Sequence, residues 1–159
     1  MVTEAKPITS SQAKGVSMSD ERTKHLEFIQ SVITRMNTNC FQIKTWTITI
    51  SSGLLAISAN TKNPAFVAVA IFPVIMFWIL DSYYLTQERK FRGLYNDVAG
   101  VSPNPREIKP FEMSPDLYVG EEYSFCNILF SDTLSKFYMT IIVILIVLVV
   151  ILMKTVKGA

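Results

Sequence analysis

From Met139 to Met153 the chain reads MTIIVILIVLVVILM, fifteen positions with one weak polar group, Thr140, and no charge. With Phe137 and Tyr138 before it and Val156 after it, the run approaches the about 20 apolar residues that a helix needs to cross a bilayer. A helix that is apolar on every side has no economical burial in a small soluble domain. The chain has 159 residues, 50% of them hydrophobic and 18% charged. That bounds it to one membrane unit with short soluble extensions.

The same composition excludes several functions. A net charge of +2 provides no general electrostatic attraction for nucleic acid, so none is expected as a partner. Two cysteines, Cys40 and Cys126, and one histidine, His25, are too few and too scattered for a zinc site. No phosphate-cradling glycine loop, nucleophile elbow or pair of catalytic carboxylates is found, so neither an enzyme nor a cofactor is expected. Residues 1–18 lack the apolar core of a signal peptide and read as a flexible polar tail.

Two further apolar segments precede the C-terminal one. The segment 64–84 contains AFVAVAIFPVIMFWIL, sixteen residues without a charge, and is a second candidate span. Pro73 in its middle removes one helical hydrogen bond, a loss that neighbouring helices tolerate in membranes. The segment 41–60 is more polar, because Thr45, Thr47, Thr49, Ser51, Ser52 and Ser58 dilute it. Its WTITIS stretch alternates like a half-buried strand, but a lone strand in a bilayer would leave its backbone unpaired. As a helix it carries Thr45, Thr49 and Gly53 on one stripe and the pair Ser52 and Ala56 on another. Such small residues either admit a neighbouring helix or bond back to their own backbone.

Counting from Lys62, at the tip of the NTKNP turn, Trp46 lies sixteen residues before and Trp78 sixteen after; Lys44 lies eighteen before and Asp81 nineteen after. Two antiparallel helices leaving the turn therefore bring both tryptophans to one depth, with a cation and an anion just beyond. Trp46, Trp78, Tyr83 and Tyr84 form the expected interfacial belt, and Lys44 with Asp81 a structural ion pair.

Before the first span, Leu26, Ile29, Ile33, Met36, Cys40 and Ile43 are spaced 3, 4, 3, 4, 3, a heptad-like seam. After the second, Phe91, Tyr95 and Val98 continue it until Gly100, Pro103 and Pro105 stop the helix. The antiparallel register sets Ile33 opposite Phe91, Ile29 opposite Tyr95, Leu26 opposite Val98, and Arg35 near Glu88. The expected fold is an all-α membrane protein with three transmembrane helices. The first two (about 41–60 and 64–84) form a hairpin within 19–100 whose outer halves extend as a cytosolic stalk, capped at Ser19 or Asp20. Residues 101–134 form a cytosolic loop, 135–156 the third span and 157–159 an external tail. Within the loop, SFCNILF (Ser124 to Phe130) reads either as an interfacial helix or as part of a loop folded across the stalk.

Lys and Arg number six up to Lys44, one in the turn, six from Arg89 to Lys136 and two beyond the third span. The positive-inside rule then places the N-terminus and the 85–134 loop in the cytoplasm and the C-terminus outside. Asp81 reads as part of an ion or proton pathway or, at the membrane edge, as a structural anchor paired with Lys44. His25 reads as a pH sensor or as a solvated helix-face histidine. QERKFR (Gln87 to Arg92) reads as a site for anionic lipid or a nucleotide phosphate, or as a topology-setting basic flank.

HLEFIQSVITRMNTNCFQIKTW (His25 to Trp46) and FPVIMFWILDSYYLTQERKFRGLYNDV (Phe72 to Val98) resemble a group of small bacterial membrane proteins without assigned activity. The two-span hairpin with its helical extension also resembles the two-transmembrane effector modules of bacterial anti-phage systems. These resemblances imply a multi-pass protein of the bacterial inner membrane. It would be an oligomeric, membrane-perturbing effector triggered from the cytosol, with the bilayer, further copies or a membrane or cytosolic protein as partners. The alternative is a structural or regulatory subunit anchoring a larger complex.

Overall fold

The computed structural model describes residues 10–158, with side chains described for residues 18–155. Helix α1 spans Ser10–Thr61 and α2 Ala65–Ala99; 3₁₀ turns at Pro115–Leu117 and Glu121–Tyr123 lead to the short α3, Phe125–Leu129, and then to α4, Asp132–Gly158. No strand occurs among the described residues. Helix α1 starts at Ser10 and not at Ser19 or Asp20, so residues 10–18 are helical where a flexible tail was expected. The good helix formers Gln12, Ala13, Lys14 and Met18 continue the register without a proline. The rest of the expected tail, residues 1–9, lies outside the described residues.

WTITIS is helical. Its threonines donate back to their own helix, Thr45 to the Phe41 carbonyl at 3.0 Å, Thr47 to Ile43 at 2.8 Å and Thr49 to Thr45 at 2.9 Å. This bonding satisfies the hydroxyls locally and removes the need for a strand partner. At 1.5 Å per residue α1 is about 78 Å long.

The turn is tight and defined by its side chains. Ser58 Oγ donates to the Asn63 carbonyl at 2.8 Å, and Asn63 Oδ1 accepts the Ala65 N–H at 2.9 Å. Lys62 sits at φ 55°, a left-handed conformation that costs a non-glycine residue about 1–2 kcal/mol. Pro64 then leads into α2 with φ −66°. At the far end Gly100, at φ 71°, closes α2: its N–H reaches the Asp97 carbonyl and the Val101 N–H the Asn96 carbonyl, both at 3.0 Å. Glycine is favoured there because it adopts the left-handed region without a Cβ clash.

Helices α1 and α2 pack antiparallel along the length of α2, and α4 packs on α2 rather than on α1. Two apolar cores result. Near the turn Val67, Ala70 and Val74 of α2 meet Leu134, Tyr138 and Leu145 of α4; in the stalk Ile29 and Ile33 of α1 meet Leu94 of α2 and Tyr118 of the loop.

Among the described residues, α2 and α4 alone are long and apolar enough to cross a membrane, with mean hydropathy 2.2 and 2.9 over their best windows. The expectation of three spans is therefore met by two helices. Lys44 and the hydroxyl residues of 45–58 hold the remaining segment, 41–60 of α1, below that mark. In the loop, α3 is the helix within SFCNILF, and the preceding residues fold back across the stalk. Ile108, Tyr118 and Tyr123 of those residues pack on the stalk, as the folded-loop reading expects.

Candidate functional site

Where the stalk meets the apolar part of the hairpin, three helices converge on one carboxylate. Asp81 is 0% exposed. Its Oδ2 accepts Lys44 Nζ of α1 at 2.5 Å and the Tyr138 hydroxyl of α4 at 3.0 Å. The side chain of Lys44 is 33% exposed, so the ammonium reaches in from the rim. Asp81 Oδ1 has no hydrogen-bond partner among the described residues, and neither has the buried Ser51 Oγ nearer the turn. A buried carboxylate needs a paired cation and further donors to offset desolvation; here one oxygen receives both. The neighbouring hydroxyls are satisfied within α2, Ser82 on the Trp78 carbonyl and Thr86 on the Ser82 carbonyl, each at 2.7 Å.

Trp78 reinforces the junction. Its Nε1 donates to the Leu129 carbonyl at 3.0 Å, its ring stacks on Tyr138 at 6.0 Å between centroids, and Phe130 meets it edge-on. Trp78 thus turns toward α3 and α4. Trp46 and Tyr83 are exposed and Tyr84 is half-buried, so the four aromatics named for the belt do not share one orientation.

The stalk has its own cluster. Ile29 and Ile33 are buried against Leu94, with Phe91, Tyr95 and Val98 packed around them; Leu26 and Met36 are half-buried. The Tyr118 hydroxyl donates to Asp97 Oδ2 at 2.6 Å, and Arg106 lies 4.8 Å over the Tyr118 ring while its guanidinium donates to the Leu117 carbonyl. Burial, and then the Asp97 carboxylate, push the Tyr118 hydroxyl well above the usual phenol range; burial and Glu122 raise Tyr123 as well. Gly93 is required here, because a Cβ would lie 2.5 Å from Tyr118 Cδ1.

His25 is 3% exposed, so the solvated reading does not hold. Its Nε2 lies 3.0 Å from the Glu112 carbonyl and its ring faces Phe111, while Arg22 donates to the Val98 carbonyl at 2.8 Å. The His25 contacts pin the loop to the stalk end, and the Arg22 contact ties α1 to the end of α2. A cavity of about 400 Å³ remains there, lined by Arg22, His25, Asp97, Gly100, Arg106 and Glu107 among others. Glu88 pairs with Arg92 of its own helix and not with Arg35. No group of three His, Cys, Asp or Glu side chains among the described residues could hold a metal, and both cysteines are free thiols.

Three contributors lie beyond what periodicity reveals: Tyr138, Tyr118 and Gly93. Tyr138 had one signal, a phenol at the mouth of an otherwise featureless span. Gly93 had another, a glycine inside a strong helical pattern, where it costs about 1 kcal/mol unless something approaches closely. No protein-family model, curated protein or solved structure matches this chain.

Proposed function

We propose that the chain is a three-span integral membrane protein that acts by associating with further copies of itself, α1 following α2 across the bilayer between Lys44 and the Lys62 turn. The observation that carries this reading is the outward side of α1. Thr45, Thr49, Ser52 and Gly53 are exposed there, and α4 does not cover them. That face interleaves these small residues with the exposed Phe41 and Ile48, a mixture that admits the close approach of another helix in lipid. The N-terminus and the stalk lie in the bacterial cytoplasm and the C-terminus outside, as the lysine and arginine distribution supports. The assembly works as a membrane-perturbing effector, with the cavity at the stalk end as the point where a cytosolic signal enters.

The competing reading is an anchor subunit of a larger complex. It draws on Met18, Phe28, Val101 and Val119, which leave apolar side chains exposed on the stalk and its loop.

Gly53→Leu separates the two. A Cβ at Gly53 meets nothing within 4 Å, so a single chain accommodates the change, whereas a neighbour packed on that face does not. The expected result is a fall in mass toward the monomer in detergent, together with loss of the depolarisation that the parent causes on induced expression. An unchanged mass overturns self-association through α1. A silent membrane with a co-purifying partner favours the anchor.

A further inference from the structure

The outer side of α2 carries a groove that the three-helix packing leaves empty. Its walls are Met76, Ile79, Leu80 and Tyr83, with Phe77 beside them and Phe125 of α3 closing one edge. The volume is about 650 Å³, within the range of about 300–1,000 Å³ of small-ligand sites. Met76, Ile79, Leu80 and Tyr83 follow the i, i+3, i+4, i+7 spacing of one helical face. Continued toward the stalk, the same face carries Gln87 and then Lys90. Lys90 lies seven residues beyond Tyr83, about 10 Å along the axis. Among the described residues Lys90 has no ion pair, whereas Lys44, Arg92 and Lys136 each have one.

We infer that this groove binds one acyl chain of an anionic phospholipid from the cytoplasmic leaflet, with the headgroup phosphate at Lys90 and Gln87. The inference rests on the membrane placement proposed above. Depth supplies the occupant: the groove sits at the stalk-side end of the apolar stretch of α2, level with Asp81, where acyl chains give way to headgroups. Charge supplies the preference, because the stalk-side continuation of that face carries Lys90, an ammonium without an ion pair among the described residues. Phe125 gives α3 its role, as the wall that turns a helix face into a groove.

The test uses the full chain extracted in detergent, with phosphatidylglycerol and phosphatidylcholine of identical acyl chains, read by native mass spectrometry. The wild type is expected to retain phosphatidylglycerol over phosphatidylcholine by about fivefold, the value of one lysine near an anionic headgroup. Lys90→Gln should bring the ratio close to one without shifting the melting temperature. Met76→Ala with Leu80→Ala should lower retention of both lipids alike. Equal retention by the wild type, or an unchanged preference in Lys90→Gln, overturns the lipid site. So does a Leu80→Cys chain, free of Cys40 and Cys126, that forms disulfides with a second copy in native membranes; the groove is then a protein interface. A chain removed from membranes by carbonate instead fails the underlying placement, which keeps the two failures apart.

Discussion

The two halves of the α1–α2 hairpin are built on opposite plans. In the stalk, α1 turns Ile29 and Ile33 inward and leaves Gln30, Thr34 and Thr38 on the outside. Toward the turn the same helix buries Thr47, Ser51 and Ser58, while its partner α2 exposes Val69, Phe72, Ile75 and Met76. The change falls at Ile43–Lys44, beside Asp81. An apolar seam is worth about 25 cal/mol per Å² in water, but between helices in lipid it provides no such drive, and close packing and polar contacts replace it. One continuous helix thus changes its design where its solvent would change. That reversal supports a bilayer boundary at Lys44 and Asp81 independently of the hydropathy of α1, which does not mark a span.

The largest effect is expected at the boundary itself. Asp81→Ala leaves Lys44 and Tyr138 without their shared acceptor and should cost about 3–5 kcal/mol, the usual loss when one member of a buried pair is removed. Thermal unfolding in detergent should show it, with α4 becoming more accessible to protease. Lys44→Ala in the same chain should recover much of the loss. Strictly additive losses in the double variant would mean that the two charges are neighbours without being coupled.

A smaller pair of substitutions tests the reversal along α1 directly. Ile33→Ala removes a core side chain from the stalk and should cost about 2–4 kcal/mol. Ser51→Ala, on the inward side of the other half, removes a buried hydroxyl with no partner and should be neutral or stabilising by up to about 1 kcal/mol. Equal destabilisation by both changes would break the contrast between the halves.

The registry of this contrast is legible in the sequence only where helical pitch and one short turn determine it. Lys44 and Asp81 come together because both are counted from Lys62 through unbroken helix, and Ile29, Ile33, Phe91 and Tyr95 share a core for the same reason. Tyr138 reaches Asp81 through the irregular 101–131 segment, and no periodicity carries a register across Pro103, Pro105, Pro110 and Pro115. Tyr118 is hidden for the same cause, and with it the burial of His25, which depends on where Phe111 and Glu112 fold back. The polarity of Thr45, Thr47 and Thr49 was open to two readings because each hydroxyl bonds back to its own helix whatever the outward face meets.

The smallest expected effect concerns the loop that closes the stalk and has no counterpart in the other half. Tyr118 is held as a neutral phenol: burial and the hydrogen bond to Asp97 raise it in the folded state above the unfolded value of about 10. A group raised on folding stabilises the fold fully below its unfolded pKa, and that contribution is lost as the pH climbs above about 10 toward the folded value. The loop should therefore loosen in alkali while the Asp81 junction still holds. Limited proteolysis between residues 101 and 131, followed from pH 8 to pH 11, should show cleavage rising above about pH 10. Tyr118→Phe should cost about 1 kcal/mol at neutral pH through the lost hydrogen bond and should flatten most of that rise, leaving the smaller share due to Tyr123. An alkaline profile identical in Tyr118→Phe and the parent would assign the loosening to another group and leave the Tyr118–Asp97 contact without a part in closing the stalk.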